Sequence, residues 1–466
     1  MRLKNITIVN AYDPTEITDE ETKDRTNPSV RCQEISLVNC PSIPDVAGST
    51  DLKIGKMKNL SQSQFVLLLL SLLYGVRASE PNTYTDESIL EDARLDTFSI
   101  IKKHGYPSEI HRTFSDDNYI LEMHRIPHSV VNTHEGRRPV VFLMHGLLSS
   151  SAEWVMMGPE KGFAYILSEA GYDVWMGNAR GNTYSRSHVF LHPSSSSFWK
   201  FSWHEIGYYD LPAMIDYIIK ETGVPKIHFI GFSQGTTAFW VMTSTRPEYN
   251  EKIVAMQALA PVAFLSKVRS PLVKAIAPFT NSLEVVFKIL GRNEFLTNGK
   301  INEMAGQSYC VEEAITQALC TNLLFLLCGY NSEQLNSTMV PVIVGHTPAG
   351  ASTKQIVHFG QIYNGHKFRQ FDYGLMKNKM TYGTFKPPTY NLTAIRTPIF
   401  LHYSDNDWLA TPEDVDRLSK EIKTVIGKHR VPMAKFNHID FVFAIDVKKL
   451  LYNRVVNIMA QFNKQS

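Results

Sequence analysis

Gly231-Phe232-Ser233-Gln234-Gly235 sets a serine between two glycines. An apolar run, Lys226–Ile230, precedes it, and a helix-forming stretch, Thr236–Ser244, follows. A serine alcohol is a poor nucleophile until a base takes its proton. In a G-x-S-x-G turn from strand to helix, the serine is held in a strained conformation with its Oγ exposed at the sheet's C-terminal edge. The flanking glycines let the backbone pass closely there. The five letters alone are a weak signal, and the strand before and helix after are what point to nucleophilic chemistry.

A base and an acid must then reach the serine. On this scaffold the acid, then the histidine, follow it in the chain. Asp405 and Asp407 lie just after the apolar run Pro398–Tyr403, and His438 lies just after a strand expected at Val431–Lys435. Either aspartate would serve to hold the imidazole in the right tautomer and to stabilise the imidazolium. The developing oxyanion needs two backbone N–H groups. Gln234, directly after the nucleophile, is the expected first donor. Leu147, in the His145-Gly146-Leu147-Leu148 turn after Pro139–Met144, is the expected second.

These residues need a scaffold that brings strand ends together. Apolar runs at Pro139–Met144, Tyr172–Met176, Lys226–Ile230 and Ile253–Leu259 alternate with helical patterns such as Ile206–Ile219. Continuous apolar strands separated by helices predict a mostly parallel sheet covered on both faces, an α/β fold. The alternation stops after Pro261 and resumes at Pro398–Tyr403. A helix is expected at 413–426 with Val415, Leu418, Ile422 and Val425 on one face, capped by Thr411 with Pro412 in its first turn. A last helix is expected at Ile445–Phe462. The spacing therefore predicts one α/β domain in two parts, 79–263 and 396–466, interrupted by an insertion at 264–395.

The chain of 466 residues is 44% hydrophobic and 20% charged, enough to bury a sizeable core. A formal net charge of +2 offers no electrostatic reason to expect nucleic acid as a partner. Five cysteines are too few for a disulfide-built scaffold, and no zinc-like spacing occurs. No metal or organic cofactor is implied by the sequence. Met57-Lys58, the apolar run Phe65–Tyr74 and Val76-Arg77-Ala78 follow one another as the three parts of a secretory signal peptide. The run falls short of the roughly 20 apolar residues that span a bilayer. Residues 57–78 are thus expected to be a signal peptide that leaves no transmembrane span once cleaved. Residues 1–56 are expected to be a non-native or disordered extension, and the mature chain to begin near Ser79. Of four Asn-x-Ser/Thr sequons, Asn336 and Asn391 fall within that mature chain.

Five longer motifs sharpen the reading: Leu143-Met-His-Gly-Leu-Leu148, Asp173-Val-Trp-Met-Gly-Asn-Ala-Arg-Gly181, Gly231-Phe-Ser-Gln-Gly235, Asn406-Asp-Trp-Leu-Ala410 and Phe436-Asn-His-Ile-Asp-Phe441. With them the chain resembles the acid lipases, gastric and lysosomal, of the α/β-hydrolase fold, over nearly the whole mature chain. The resemblance implies Ser233 as nucleophile, Asp407 rather than Asp405 as acid, and His438 as base. It also implies Leu147 and Gln234 as oxyanion donors. The insertion at 264–395 would be a helical cap, part of it a lid, with a Cys310–Cys320 disulfide and Cys328 free. Tyr403-Ser404-Asp405 departs from the family's glycine-rich approach to the acid, and the N-terminal extension has no counterpart. The function so implied is a secreted or lysosomal lipase acting on triacylglycerols or cholesteryl esters at a lipid–water interface. The alternatives are a small-ester carboxylesterase and an inactive lipid-binding protein, the latter expecting a broken Ser-Asp-His set.

Overall fold

The computed structural model describes residues 87–130, 136–280, 293–296 and 324–463. The expected extension and signal peptide, Cys310 and Cys320 lie outside these residues. Among the described residues, nine strands form the main sheet: β1 (Glu109–Phe114), β2 (Tyr119–Ile126), β3 (Val140–Met144), β4 (Asp173–Gly177), β5 (Ser187–His188), β6 (Ile227–Phe232), β7 (Ile253–Leu259), β10 (Ile399–Tyr403) and β11 (Val425–Arg430). Two further short strands, β8 (Glu294–Phe295) and β9 (Ala351–Ser352), pair only with each other. The order across the main sheet is β1-β2-β4-β3-β6-β7-β10-β11, with β5 on β2. From β4 to β11 every pairing is parallel, while β2 meets β1, β4 and β5 antiparallel.

Burial explains this order. Every residue of β3, β4 and β6 is buried, as parallel strands covered on both faces require. Helices α1 (Leu211–Thr222), α2 (Gln234–Thr245), α3 (Thr353–Gly365), α4 (Leu375–Tyr382), α5 (Pro412–Glu421) and α6 (Asn453–Asn463) lie along the chain between and after them. Side chains such as Phe142, Phe229, Trp240 and Met459 fill the core, and each large apolar side chain buried contributes about 1.5–3 kcal/mol.

From β3 the chain steps to β4 on one side and then, with β6, to the other side of β3. Such a reversal opens a crevice at the carboxyl ends of the strands. Ser233 and the His145–Leu148 turn sit at the two strand ends that flank it.

Three local expectations are corrected. The helix expected at 413–426 stops at Glu421, because the β-branched run Thr424-Val425-Ile426 leads into a strand instead. That strand, Val425–Arg430, replaces the one expected at Val431–Lys435, so His438 stands at the end of a longer loop. Thr411 occupies the position before the first helical turn, but its hydroxyl is 3.5 Å from Asp414 Oδ2 and accepts no backbone N–H. The chain also adds an antiparallel hairpin, β1–β2, ahead of the first expected strand. The described part of 264–395 contributes no strand to the main sheet.

Candidate active site

Ser233 joins β6 to α2 at φ 50°, ψ −115°, a conformation that costs an L-residue about 1–3 kcal/mol. The surroundings impose it. The Ser233 N–H donates to the Leu259 carbonyl (3.0 Å), and its own carbonyl accepts the Thr236 N–H (2.9 Å) and hydroxyl (2.7 Å). Gly235 makes the turn possible, since a Cβ there would lie 2.2 Å from the Met144 carbonyl oxygen. The serine is half-buried amid a buried turn.

His438 Nε2 lies 2.9 Å from Ser233 Oγ, and His438 Nδ1 lies 2.8 Å from Asp407 Oδ2. Asp407 is fully buried, and its other oxygen, Oδ1, accepts the N–H groups of Leu409 and Ala410, each at 2.8 Å. A carboxylate so fixed can only accept, so Nδ1 carries the proton and Nε2 is left to accept from the serine. Asp405 is set apart: it is half-exposed and pairs with Arg430 at 3.4 Å.

The two expected oxyanion donors flank this chain of hydrogen bonds. Gln234 is the first residue of α2. A Cβ on Gly146 would meet the Phe232 ring at 3.0 Å and Ser233 Cβ at 3.5 Å, so the turn carrying Leu147 packs on the nucleophile. Two buried titratable groups hold that turn. His145 Nδ1 donates to the Gly146 carbonyl (2.7 Å), and its Nε2 accepts the Ala179 N–H (3.1 Å). Burial lowers His145 to about 4, so near pH 7 it is neutral and keeps that acceptor. Glu153 Oε1 accepts the Gly146 N–H at 3.4 Å, and burial pushes its carboxyl up to about 8.

Sequence reasoning missed a clamp from the insertion. The Cys328 carbonyl accepts both the Trp408 and the His438 N–H, each at 3.3 Å. The Gly329 carbonyl accepts from Asn437 Nδ2 (2.8 Å), and the Tyr330 carbonyl from Asn406 Nδ2 (2.9 Å). Asn331 Nδ2 donates to Asp440 Oδ2 (2.6 Å), which also accepts the Asn437 N–H (2.7 Å). Burial pushes Asp440 up to about 7. One short segment thereby ties the loop of Asp407 to the loop of His438. Cys328 is a buried free thiol, pushed well above its ordinary range by burial.

Of the two sequons, Asn391 is exposed and Asn336 half-buried, and each Oδ1 accepts the N–H two residues on, at 3.2 Å. Among the described residues, no three His, Cys, Asp or Glu side chains are placed to hold a metal ion, and no helix is long and apolar enough to cross a membrane.

A family profile for the α/β hydrolase fold matches residues 139–443, and one for a partial α/β-hydrolase lipase region matches 97–158. The chain is thus an α/β hydrolase by fold. Lipase 3 of Drosophila melanogaster is 44% identical over 362 residues, 78% of this chain and 92% of that one. Gastric triacylglycerol lipase of Bos taurus is 40% identical over 377 residues, 80% of this chain and 93% of that one. The chain belongs to the acid lipase family. A crystal structure from Sulfolobus solfataricus aligns at TM-score 0.52 and 14% identity over 76% of this chain and 94% of that one, a likeness of fold alone.

Proposed function

We propose that this chain is a lipase that hydrolyses lipid carboxylic esters, triacylglycerols or cholesteryl esters, through an acyl-enzyme on Ser233. The observation that carries the reading is the unbroken line Asp407–His438–Ser233, at 2.8 and 2.9 Å, ending on a strained serine. Ser233 Oγ attacks the ester carbonyl carbon as His438 Nε2 takes its proton. Asp407 stabilises the resulting imidazolium. The N–H groups of Leu147 and Gln234 receive the oxyanion. Collapse expels the alcohol, which takes the proton from His438. Water, deprotonated by the same imidazole, then releases the fatty acid and restores the serine.

The relatives named as lipases support a lipid substrate. The signal-like segment 57–78 supports entry to the secretory pathway and a secreted or lysosomal destination. In that compartment Asn336 and Asn391 would be glycosylated and Cys310 and Cys320 paired. On this reading 79–263 and 396–466 form the hydrolase core and 264–395 its cap. The test is release of fatty acid from emulsified triacylglycerol and from a cholesteryl ester by the wild type beside Ser233→Ala. Activity that rises once substrate exceeds its solubility, and is absent in the variant, is the expected result. A folded wild type that cleaves neither ester at any pH from acidic to neutral would overturn it.

A further inference from the structure

Helix α4 is built inside out. Its buried residue is the polar Asn378, 1% exposed, while Leu375, Met376 and Met380 stand 67, 73 and 86% exposed. Phe385, just past the helix, is 55% exposed. Polar contacts beneath hold this shape. Asn378 Oδ1 accepts the Tyr373 N–H (2.9 Å), and its Nδ2 donates to Asp372 Oδ1 (2.8 Å) and to the Phe385 carbonyl (3.0 Å). The Tyr382 hydroxyl donates to the Phe371 carbonyl (2.9 Å). The outward apolar side chains are therefore not what keeps the segment folded.

Charge on the same segment has one sign. Lys377, Lys379 and Lys386 are exposed, and residues 374–390 contain no Asp or Glu. In water, apolar side chains turned outward around a buried amide reverse the usual arrangement. A clustered apolar patch rimmed by cations marks a surface that meets another phase or partner. Apolar side chains that enter the acyl boundary beside lysines that meet anionic headgroups are the pattern of a helix lying in a lipid interface.

We propose that Leu375–Lys386 is a docking surface for a lipid interface carrying anionic phospholipid. Leu375, Met376, Met380 and Phe385 enter the acyl boundary, and the three lysines meet the phosphodiesters. A phosphodiester stays ionised wherever a lysine is charged, whereas a fatty acid's carboxylate is neutralised in mild acid, which favours the phospholipid headgroup as the anion. The proposal rests on reading the chain as a lipase working at such an interface.

The test uses the full chain in flotation with vesicles of phosphatidylcholine, alone or mixed with phosphatidylserine, at low and high salt. One variant is Lys377→Gln/Lys379→Gln/Lys386→Gln and the other Met376→Ser/Met380→Ser/Phe385→Ser. The wild type is expected to prefer the mixed vesicles, and the preference to fall with salt. The lysine variant should lose that preference, binding the mixed vesicles roughly ten- to a hundredfold more weakly at low salt. The apolar variant should bind both vesicles more weakly. Both should cleave a soluble short-chain ester at the wild-type rate, which shows that they are folded. Wild-type binding by either variant would overturn the proposal, as would equal binding of both vesicles by the wild type. Concentration-dependent dimerisation that the apolar variant abolishes, without vesicle binding, would assign the surface to a second copy of the chain and also overturn it. Failure of the wild type to cleave the soluble ester would count against the hydrolase reading alone, because flotation does not depend on it.

Discussion

Two side-chain clusters, each built around a buried charge, follow strand ends in this sheet, and they are built differently. In one, Arg180, just after β4, is 1% exposed. Its Nε donates to Asp210 Oδ1 (2.7 Å) and its backbone N–H to Asp210 Oδ2 (3.0 Å). Its two terminal nitrogens reach the two oxygens of Asp117 at 2.5 and 2.7 Å, and the guanidinium lies over the Tyr119 ring at 4.0 Å. Burial pushes Asp210 up to about 6 against the pull of the arginine. The cluster closes on itself. In the other, Asp407 and His438 also use both their polar ends, but the line finishes on a half-exposed hydroxyl held in a strained backbone. Buried charge is common to both. What separates a site from a structural knot is the open end.

That contrast can be tested by breaking each cluster. Asp407→Asn is expected to lower kcat about 10⁴-fold on a soluble ester while thermal denaturation shows little change, because it alters the tautomer of His438 and leaves the packing. Arg180→Met should do the reverse. It leaves two carboxylates without their partner, one of them fully buried, and is expected to cost about 3–5 kcal/mol in denaturant unfolding, with kcat per folded molecule near that of the wild type. If Arg180→Met lowered kcat as far as Asp407→Asn, the distinction would be wrong.

Gly235→Ala tests the turn itself. The new Cβ meets the Met144 carbonyl oxygen, a backbone atom that cannot swing away, and a loss of about 1–3 kcal/mol or more is expected in the same unfolding assay. Asn331→Ala tests the clamp. Losing its hydrogen bond to Asp440 is expected to cost about 1–3 kcal/mol and to lower kcat on a soluble ester several-fold with little change in KM. An unchanged kcat would mean that the clamp does not position His438.

The remaining prediction concerns pH. Glu153 holds its proton to about 8 in the folded chain and releases it near 4.5 when unfolded. The folded state therefore binds the extra proton between these values, and stability falls as pH rises through that window. His145, lowered to about 4, acts in the opposite sense: its contribution is complete above about 6.5 and is lost as pH falls toward 4. Glu153→Gln is expected to flatten the decline in melting temperature between pH 5 and 8 and to leave the acid limb in place. An unchanged slope would remove Glu153 as its source.

Strands buried on both faces were legible in the sequence because their apolar runs are continuous, as in Val140–Met144 and Ile253–Leu259. So were Ser233, His438 and an acid at Asp405 or Asp407 at or beyond strand ends, the family resemblance alone choosing Asp407, and the fold brings Ser233, His438 and Asp407 into one hydrogen-bonded line. The β1 strand, Glu109–Phe114, was missed because it alternates between half-buried and exposed residues and carries charge, which is the mark of an edge. Val425–Arg430 was misplaced because its first residue continues the helical spacing of Val415, Leu418 and Ile422. The clamp from Cys328 to Tyr330 acts through backbone carbonyls, and a carbonyl leaves no trace in residue type. Glu153 gave no signal either, since its role depends on burial rather than on its neighbours in the chain.

The central claim is that Ser233 is the nucleophile. Its most direct test is to treat the folded chain with a lipid-like alkylphosphonate ester and locate the adduct by mass spectrometry of its peptides. A single adduct on Ser233, absent from His438→Ala, is predicted. An adduct on another residue, or an unmodified Ser233 in a protein that still hydrolyses esters, would contradict it.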